Sequence, residues 1–415
     1  MARTAACDNR FVNRADVVVI GAGIIGLSVA HAILERRPGL RLVVVEKEAR
    51  VAAHQSGRNS GVIHSGVYYR PGTMKARLAT TGHGLLVEFC REMGIPHEIT
   101  GKVIVAGDRR ELSLLDELRR RGTSNGVRLE LVGPDRLRDL EPYAAGLAAL
   151  HVHDAGVVDF SQVAASLAAR LVDRGADLRF EWPVAELRET SRDVTVASDR
   201  HHLSSTLVVN AAGLFADTLA PLHDRHRVDI RIVPFRGEYF EIAAERAHLV
   251  RALVYPVADP ELPFLGVHLS RGIDGRVHAG PNALLALARE GYSWADVDRR
   301  EIVDMIRFRG FRRLARRYWR VGVTEVSRSL SRNAVARSLR RIFPEIRASD
   351  LAGRSSGVRA QAVDMDGRLV DDFVFRDSAR TINVISAPSP GATASLAIGR
   401  EIAARALTRL DDHTA

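Results

Sequence analysis

The chain has 415 residues, 46% of them hydrophobic, with 60 lysines and arginines against 50 acids and a formal charge of +10. That length and apolar share exclude a disordered chain and allow two domains around sizeable cores; no 18-residue apolar run is free of charges and glycines, so no transmembrane helix is expected. The two cysteines, Cys7 and Cys90, exclude a disulfide framework or a cysteine-built zinc site, and a reduced, cytoplasmic setting is expected.

In chain order, residues 1–14 lack an apolar core and read as a loose tail rather than a signal peptide. A buried strand is predicted over Asp16–Ile20, then a turn with Gly21, Gly23 and Gly26 opening a helix, then a second buried strand, Leu42–Val45, ending in Glu46. Gly21 suits the tight turn, Gly23 the approach of backbone to a pyrophosphate, and Gly26 close packing of helix on strand. The helix N-terminus faces its N–H groups toward the phosphates. Glu46 lies 20 residues past Gly26, where a carboxylate meets the hydroxyls of an adenosine ribose. Glycines alone would signify little; the whole strand–turn–helix–strand–acid unit predicts a Rossmann-type dinucleotide-binding domain in an α/β chain.

The segments that follow favour FAD over a nicotinamide. After Lys47 and Glu48 comes a polar, glycine-rich loop, His54–Gly61, of the kind that FAD enzymes lay along the flavin. Leu207–Gly213 reads as a strand returning under the pyrophosphate. Ala387–Ser395 leads into an Ala-rich helix whose N-terminal N–H groups would stabilise negative charge on the flavin pyrimidine. For each segment alone, an ordinary strand–helix turn is the alternative. Together they give an expected cofactor set of Gly21, Gly23, Gly26, Glu46, Lys47, Ser56, Asn59, Ser60, Val184, Ala212, Gly213, Gly391, Ala392 and Thr393, with the FAD bound non-covalently.

Between these pieces, residues 230–283 alternate as strands: Ile230–Phe240, Phe264–Leu269 and Arg276–Gly280, with a hairpin at Asp274-Gly275. The FAD-binding domain is expected over 15–85, 150–225 and 350–405. A mixed-sheet substrate domain takes 86–149 and 226–349, including a helical basic segment at 295–349 that ends by Phe343-Pro344. Residues 305–341 hold twelve arginines and one acid, Glu325, so the rest of the chain is near neutral. Phe308, Phe311, Ala315 and Tyr318 recur there at helical spacing, with Arg312, Arg313, Arg316 and Arg317 around them. Two readings follow: a solvated helix packed by its aromatic face, or docking on an anionic membrane surface as a peripheral protein. No nucleic-acid motif accompanies the charge. Lysine is nearly absent: only Lys47, Lys75 and Lys102 occur. A compact ammonium is not replaced freely by a guanidinium at a tight site, but for any single lysine chance survival is the stronger reading.

The strings HQSGRNSGVIHSGVYYRPG (54–72), PFRGEYF (234–240), YPV (255–257), DPELPFLGVHLSR (259–271), GPNALLA (280–286), REGY (289–292), GVRAQAV (357–363) and APSPGATASLAIG (387–399) resemble those of the L-2-hydroxyglutarate dehydrogenases/oxidases. That family is similar to the D-amino-acid-oxidase-like flavoenzymes, and the matches span nearly the whole chain. The resemblance implies FAD, oxidation of L-2-hydroxyglutarate to 2-oxoglutarate, and electrons passed to a quinone, another acceptor or oxygen. It also implies that Arg359, in Gly357-Val358-Arg359, holds the substrate's C1 carboxylate, for which a forked guanidinium is suited; a salt bridge to Asp364 or Asp366 is the structural alternative.

Oxidising a 2-hydroxy acid needs a base for the hydroxyl proton, a hydride acceptor at C2 and a fixed cation for the carboxylate. His268 and His64 are the candidate bases, because imidazole is neutral at working pH. A period of two turns His268 opposite to Val267 and Leu269; His64 lies in the flavin loop. Lys75, Tyr69, Tyr239, Arg271 and Asn282 are candidates for the distal carboxylate. Two rivals stand beside this reading: an amino-acid or amine oxidase of the same fold, and a non-catalytic flavin sensor whose basic patch binds a polyanion.

Overall fold

The computed structural model describes residues 14–220, 229–258 and 266–414. Residues 1–13 of the expected tail, with Cys7, and the whole of DPELPFL, including the first two residues of the expected strand Phe264–Leu269, lie outside them.

β1 (Arg14–Ile20), α1 (Ile24–Arg36) and β2 (Leu42–Val45) form as the apolar runs dictate. β1 and β2 pair in parallel, and β1 pairs on its other side, also in parallel, with the strand His202–Asn210. These strands centre an eight-stranded sheet, β1 near its middle. α1 packs on it with the helices Phe160–Asp173 and Ser395–Thr414, around a core that includes Val17, Leu27, Ile33, Leu167 and Ile402. Two glycines are required by geometry. Gly21 sits at φ +99°, and a Cβ at Gly26 would overlap the Gly21 carbonyl oxygen. Strand, turn and helix therefore close only with glycine at both positions.

The second, nine-stranded sheet is mixed. Its longest pair joins Ile230–Ile242 to Leu351–Asp364, antiparallel over nearly their full length. The strand carrying Arg359 thus belongs to this sheet, so the piece beginning at residue 350 reaches the nucleotide-side sheet only with Val374–Asp377 and Thr381–Ser386. Ladder hydrogen bonds between segments more than a hundred residues apart override a boundary drawn from local pattern. The Asp274-Gly275 hairpin forms as read: His268–Arg271 pairs antiparallel with Val277–Gly280, and Gly275 has φ +78°.

The basic segment folds as three helices, Arg299–Arg307, Arg309–Leu330 and Arg332–Leu339. Phe308 and Leu314 pack with Val233 and Val363 on the large sheet, joined at their edge by Phe311 and Tyr318. Ala315, expected on that face, is exposed. Among the described residues, no helix is long and apolar enough to cross a membrane.

Candidate functional site

One cavity of about 720 Å³ opens between the two sheets. Its wall begins at the glycine turn, with Gly21, Gly23 and Ile24, and passes Glu46 and Lys47 beside Trp182–Val184. It continues along the loop from His54 to Ser60 and the Ala387–Thr393 turn, and ends at His64, Tyr68, Tyr69, Lys75, Tyr239, Tyr255, His268 and Arg359. Of the expected cofactor set, only Gly26 is off the wall, as its packing role requires.

The cofactor end has the donor pattern that a pyrophosphate needs. α1 starts at the cavity with no acid in its first turn, so no carboxylate of the helix itself competes for the positive end of its dipole. A Cβ at Gly23 would meet only Ser56 Oγ, at 3.2 Å. Ser56 Oγ accepts from Ile24 N–H (2.9 Å), tying the loop to the helix start. Glu46 does structural work as well: its two oxygens accept from Ala22 N–H (2.7 Å) and Glu48 N–H (3.0 Å), bracing the turn. Gly213, at φ +56°, lies against Gln55, whose Oε1 accepts from Ala360 N–H. Thr393 Oγ1 accepts from His64 N–H (3.1 Å) and donates to Val62 carbonyl, locking the C-terminal turn to the flavin loop. Helix N-terminus, glycine cradle and small-residue turns together fit FAD.

At the other end, alternation along His268–Arg271 decides which side chains reach the cavity. His268 faces it, while Leu269 joins the core behind. Arg271 turns away with Leu269, donating to the carbonyls of Val250 and Ala247, and lines no part of the cavity. Asn282 is likewise corrected. Its side chain accepts from Glu238 N–H (2.7 Å) and donates to Glu238 Oε2 (3.0 Å), so it is a buried brace.

His268 is buried and stacked on Tyr255, ring centroids 3.7 Å apart at 17°. Its Nδ1 lies 3.0 Å from Gly266 carbonyl. A carbonyl only accepts, so Nδ1 carries the proton and Nε2 keeps a bare lone pair. Burial pushes the imidazole down to about 3; the Gly266 bond opposes this, and the charges of Lys102 and Arg359 add to it. Burial also holds His64 well below its ordinary range, reinforced by Lys102, His268 and Lys75. Both histidines are therefore neutral at pH 7.

Arg359 shares this wall. Its neighbour Tyr239 hydrogen-bonds to both Arg359 and Ser60, and the missing side chain of Gly237 leaves room beside the guanidinium. The alternative partners are engaged elsewhere: Asp366 pairs with Arg313, and Asp364 Oδ1 accepts from the N–H groups of Asp366 and Arg368. Lys75, buried, donates to Asp371 (2.6 Å) and lies 5.0 Å from the Tyr69 ring. Tyr68 and Tyr255 escaped the sequence reading, and Lys102, noted there only as one of three lysines, was given no place beside them. The Tyr-Tyr pair and the scarcity of lysine were the available signals, but nothing local says which ring or ammonium faces inward.

The family model described as FAD dependent oxidoreductase matches residues 16–405. L-2-hydroxyglutarate dehydrogenase of Indibacter alkaliphilus is 42% identical, over 95% of this chain and 99% of its own length. The protein of that name from Escherichia coli K12 is 39% identical, over 95% and 94%. The human mitochondrial one is 39% identical, over 94% and 88%. Among solved structures, L-alpha-glycerophosphate oxidase from Mycoplasma pneumoniae with FAD bound superposes at TM-score 0.77 with 21% identity, covering 96% of this chain and 95% of that one. Glycine oxidase from Geobacillus kaustophilus reaches 0.70 at 17%, covering 95% of each. At those identities the two structures speak for the fold.

Proposed function

The chain belongs to the FAD-dependent oxidoreductases and, among them, to the L-2-hydroxyglutarate dehydrogenases, and from that premise we propose how its cavity oxidises L-2-hydroxyglutarate to 2-oxoglutarate. The carrying observation is that Arg359, His268 and His64 meet at one end of the same cavity whose other end is the glycine turn. FAD, when bound, supplies the two-electron acceptor for the C2 hydride. Gly21, Gly23 and the first turn of α1 hold its pyrophosphate, Glu46, Lys47 and Val184 its adenosine side, and Ser56, Asn59, Ser60, Ala212, Gly213 and Gly391–Thr393 the remainder, without a covalent bond.

Arg359 orients the C1 carboxylate, and the bare Nε2 of His268 receives the hydroxyl proton, with His64 beside it. Lys75 and Tyr69 take the distal carboxylate, which replaces the exposed carboxylate of Asp371 on the buried ammonium. Anaerobic mixing separates this reading from an amine oxidase of the same fold: L-2-hydroxyglutarate bleaches the flavin, whereas the D enantiomer and 2-amino acids leave it yellow. Bleaching by a 2-amino acid alone overturns it.

Arg359→Lys is expected to keep its flavin and lose about 2–3 kcal/mol of transition-state stabilisation, roughly 30- to 150-fold in kcat/KM, since a point charge does not reproduce a bidentate clamp. Near-normal kcat/KM would move the carboxylate site elsewhere.

Electrons leave to a quinone, another acceptor or oxygen, and the helix Arg309–Leu330 supports peripheral docking on an anionic membrane. Trp319, Val323, Val326 and Leu330 repeat along one face and are 60%, 62%, 38% and 70% exposed. Exposed Arg316, Arg317 and Arg320 flank the start of that stripe. Arg313 is spent on Asp366, and Arg312 on the carbonyls of Ile306 and Arg307. The protein is expected to sediment with acidic vesicles at low salt and to come off as salt rises. Each surface arginine contributes about 1 kcal/mol. Trp319→Ser with Arg316→Gln, Arg317→Gln and Arg320→Gln is expected to release the protein while turnover with a soluble dye persists. Sedimentation unchanged by the four substitutions would return the helix to a purely solvated face.

A further inference from the structure

Lys102 is the most deeply buried ammonium among the described residues, 1% exposed, and its Nζ has no hydrogen-bond partner there. An ammonium buried without a hydrogen-bond acceptor beside it is costly. Its cross-strand neighbours, Leu253 and Val152, are apolar. What meets it instead are two ring faces, Tyr255 at 4.5 Å and Tyr68 at 5.0 Å from their centroids. Such faces attract a cation without accepting its protons.

The sheet order explains the arrangement. Leu253–Pro256 runs between Lys102–Ala106 on one side and His268–Arg271 on the other. Lys102 lies opposite Leu253, two residues from Tyr255 and hence on the same face. The antiparallel register places Tyr255 across from His268. Ammonium, phenol ring and imidazole therefore form a row over three adjacent strands, with Tyr255 between the charge and the base.

We propose that Lys102 is a positioning residue for the hydroxy-acid oxidation: acting across Tyr255, its charge adds to burial in keeping the His268–His64 pair unprotonated, so that a bare imidazole nitrogen meets the substrate hydroxyl. The inference rests on the assignment of His268 as base. The charged and titratable groups facing that pair are Lys102, Arg359, the phenol of Tyr255 and Lys75 with its partner Asp371, with the two histidines facing each other; those facing Lys102 are Tyr68, Tyr255 and the histidines. The cations all disfavour a further positive charge on imidazole. Burial brings Lys102 down to about 7, so its charge is present on the acid side, where the histidines would otherwise take up protons. The row also holds Tyr255 flat against His268.

The test is Lys102→Met in the flavin-loaded protein, read by the anaerobic rate constant of flavin reduction at saturating substrate as a function of pH. The acid limb of that profile is expected to move up by on the order of 1 pH unit, because a repelling charge has gone. The Tm is expected not to fall, because removing an unpartnered buried ammonium removes a desolvation cost. A limb that stays in place, with or without a loss of Tm, overturns the proposal and leaves Lys102 as packing. Should Lys102→Met not fold, Lys102→Gln is read against the same two outcomes. The two readings fail separately: near-normal flavin reduction in His268→Asn overturns the base assignment and this inference with it, whereas its loss there with an unmoved limb in Lys102→Met overturns only the inference.

Discussion

His268→Asn is expected to keep its flavin and to slow anaerobic flavin reduction by about 10²- to 10⁴-fold, the usual worth of a positioned proton acceptor. Asparagine preserves a planar group that still donates to Gly266 carbonyl and stacks on Tyr255, but offers no basic nitrogen. The pH dependence carries the sign. A base held below its ordinary 6.5 works when unprotonated, so activity falls on the acid side. The same depression is a statement about stability. With a folded value near 3 against 6.5 unfolded, the neutral imidazole contributes stability fully above about pH 6.5 and loses it as pH falls toward 3. The substitution is therefore expected to flatten the acid side of a Tm-versus-pH curve, a change visible without any turnover. A variant that reduces flavin at the wild-type rate would transfer the role to His64.

Gly23→Val is expected to yield folded, colourless protein. Its side chain would press on Ser56 Oγ at 3.2 Å, a contact that a shift of a few tenths of an ångström relieves, and would otherwise project into the cavity where α1 begins. Folding survives, while the backbone N–H groups lose access to the pyrophosphate. Gly26→Val differs in kind. Its Cβ would overlap the Gly21 carbonyl, so β1 and α1 would be forced apart and the fold itself would suffer. Absorbance at flavin wavelengths together with far-UV circular dichroism separates the two: colour is lost with normal dichroism for Gly23→Val, and both are lost for Gly26→Val. Full flavin content in Gly23→Val would sink the pyrophosphate assignment.

What the sequence by itself determined is the part governed by neighbours along the chain. The β1–turn–α1–β2 unit was legible because its apolar runs, glycines and closing acid are contiguous, and the hairpin at Asp274-Gly275 because a left-handed turn needs glycine at a fixed place. His268 was legible on its face because strand side chains alternate. That same alternation shows why Arg271 was misjudged: lying three residues on, it points to the opposite side of the sheet. Asn282 was misjudged because a buried amide bracing Glu238 looks, in sequence, like one reaching for a substrate.

Only the tertiary structure decided which strands meet. Arg359 comes beside Tyr239 because Leu351–Asp364 pairs along Ile230–Ile242, a register written in ladder hydrogen bonds between distant segments. Lys102, Tyr255 and His268 come from three stretches of chain and form a row only once their strands are neighbours. The large perturbations of these groups arise from burial, and burial is a property of the assembled sheets. Local pattern sets the face on which a side chain lies; packing sets what that face meets, and with it the charge that the side chain carries.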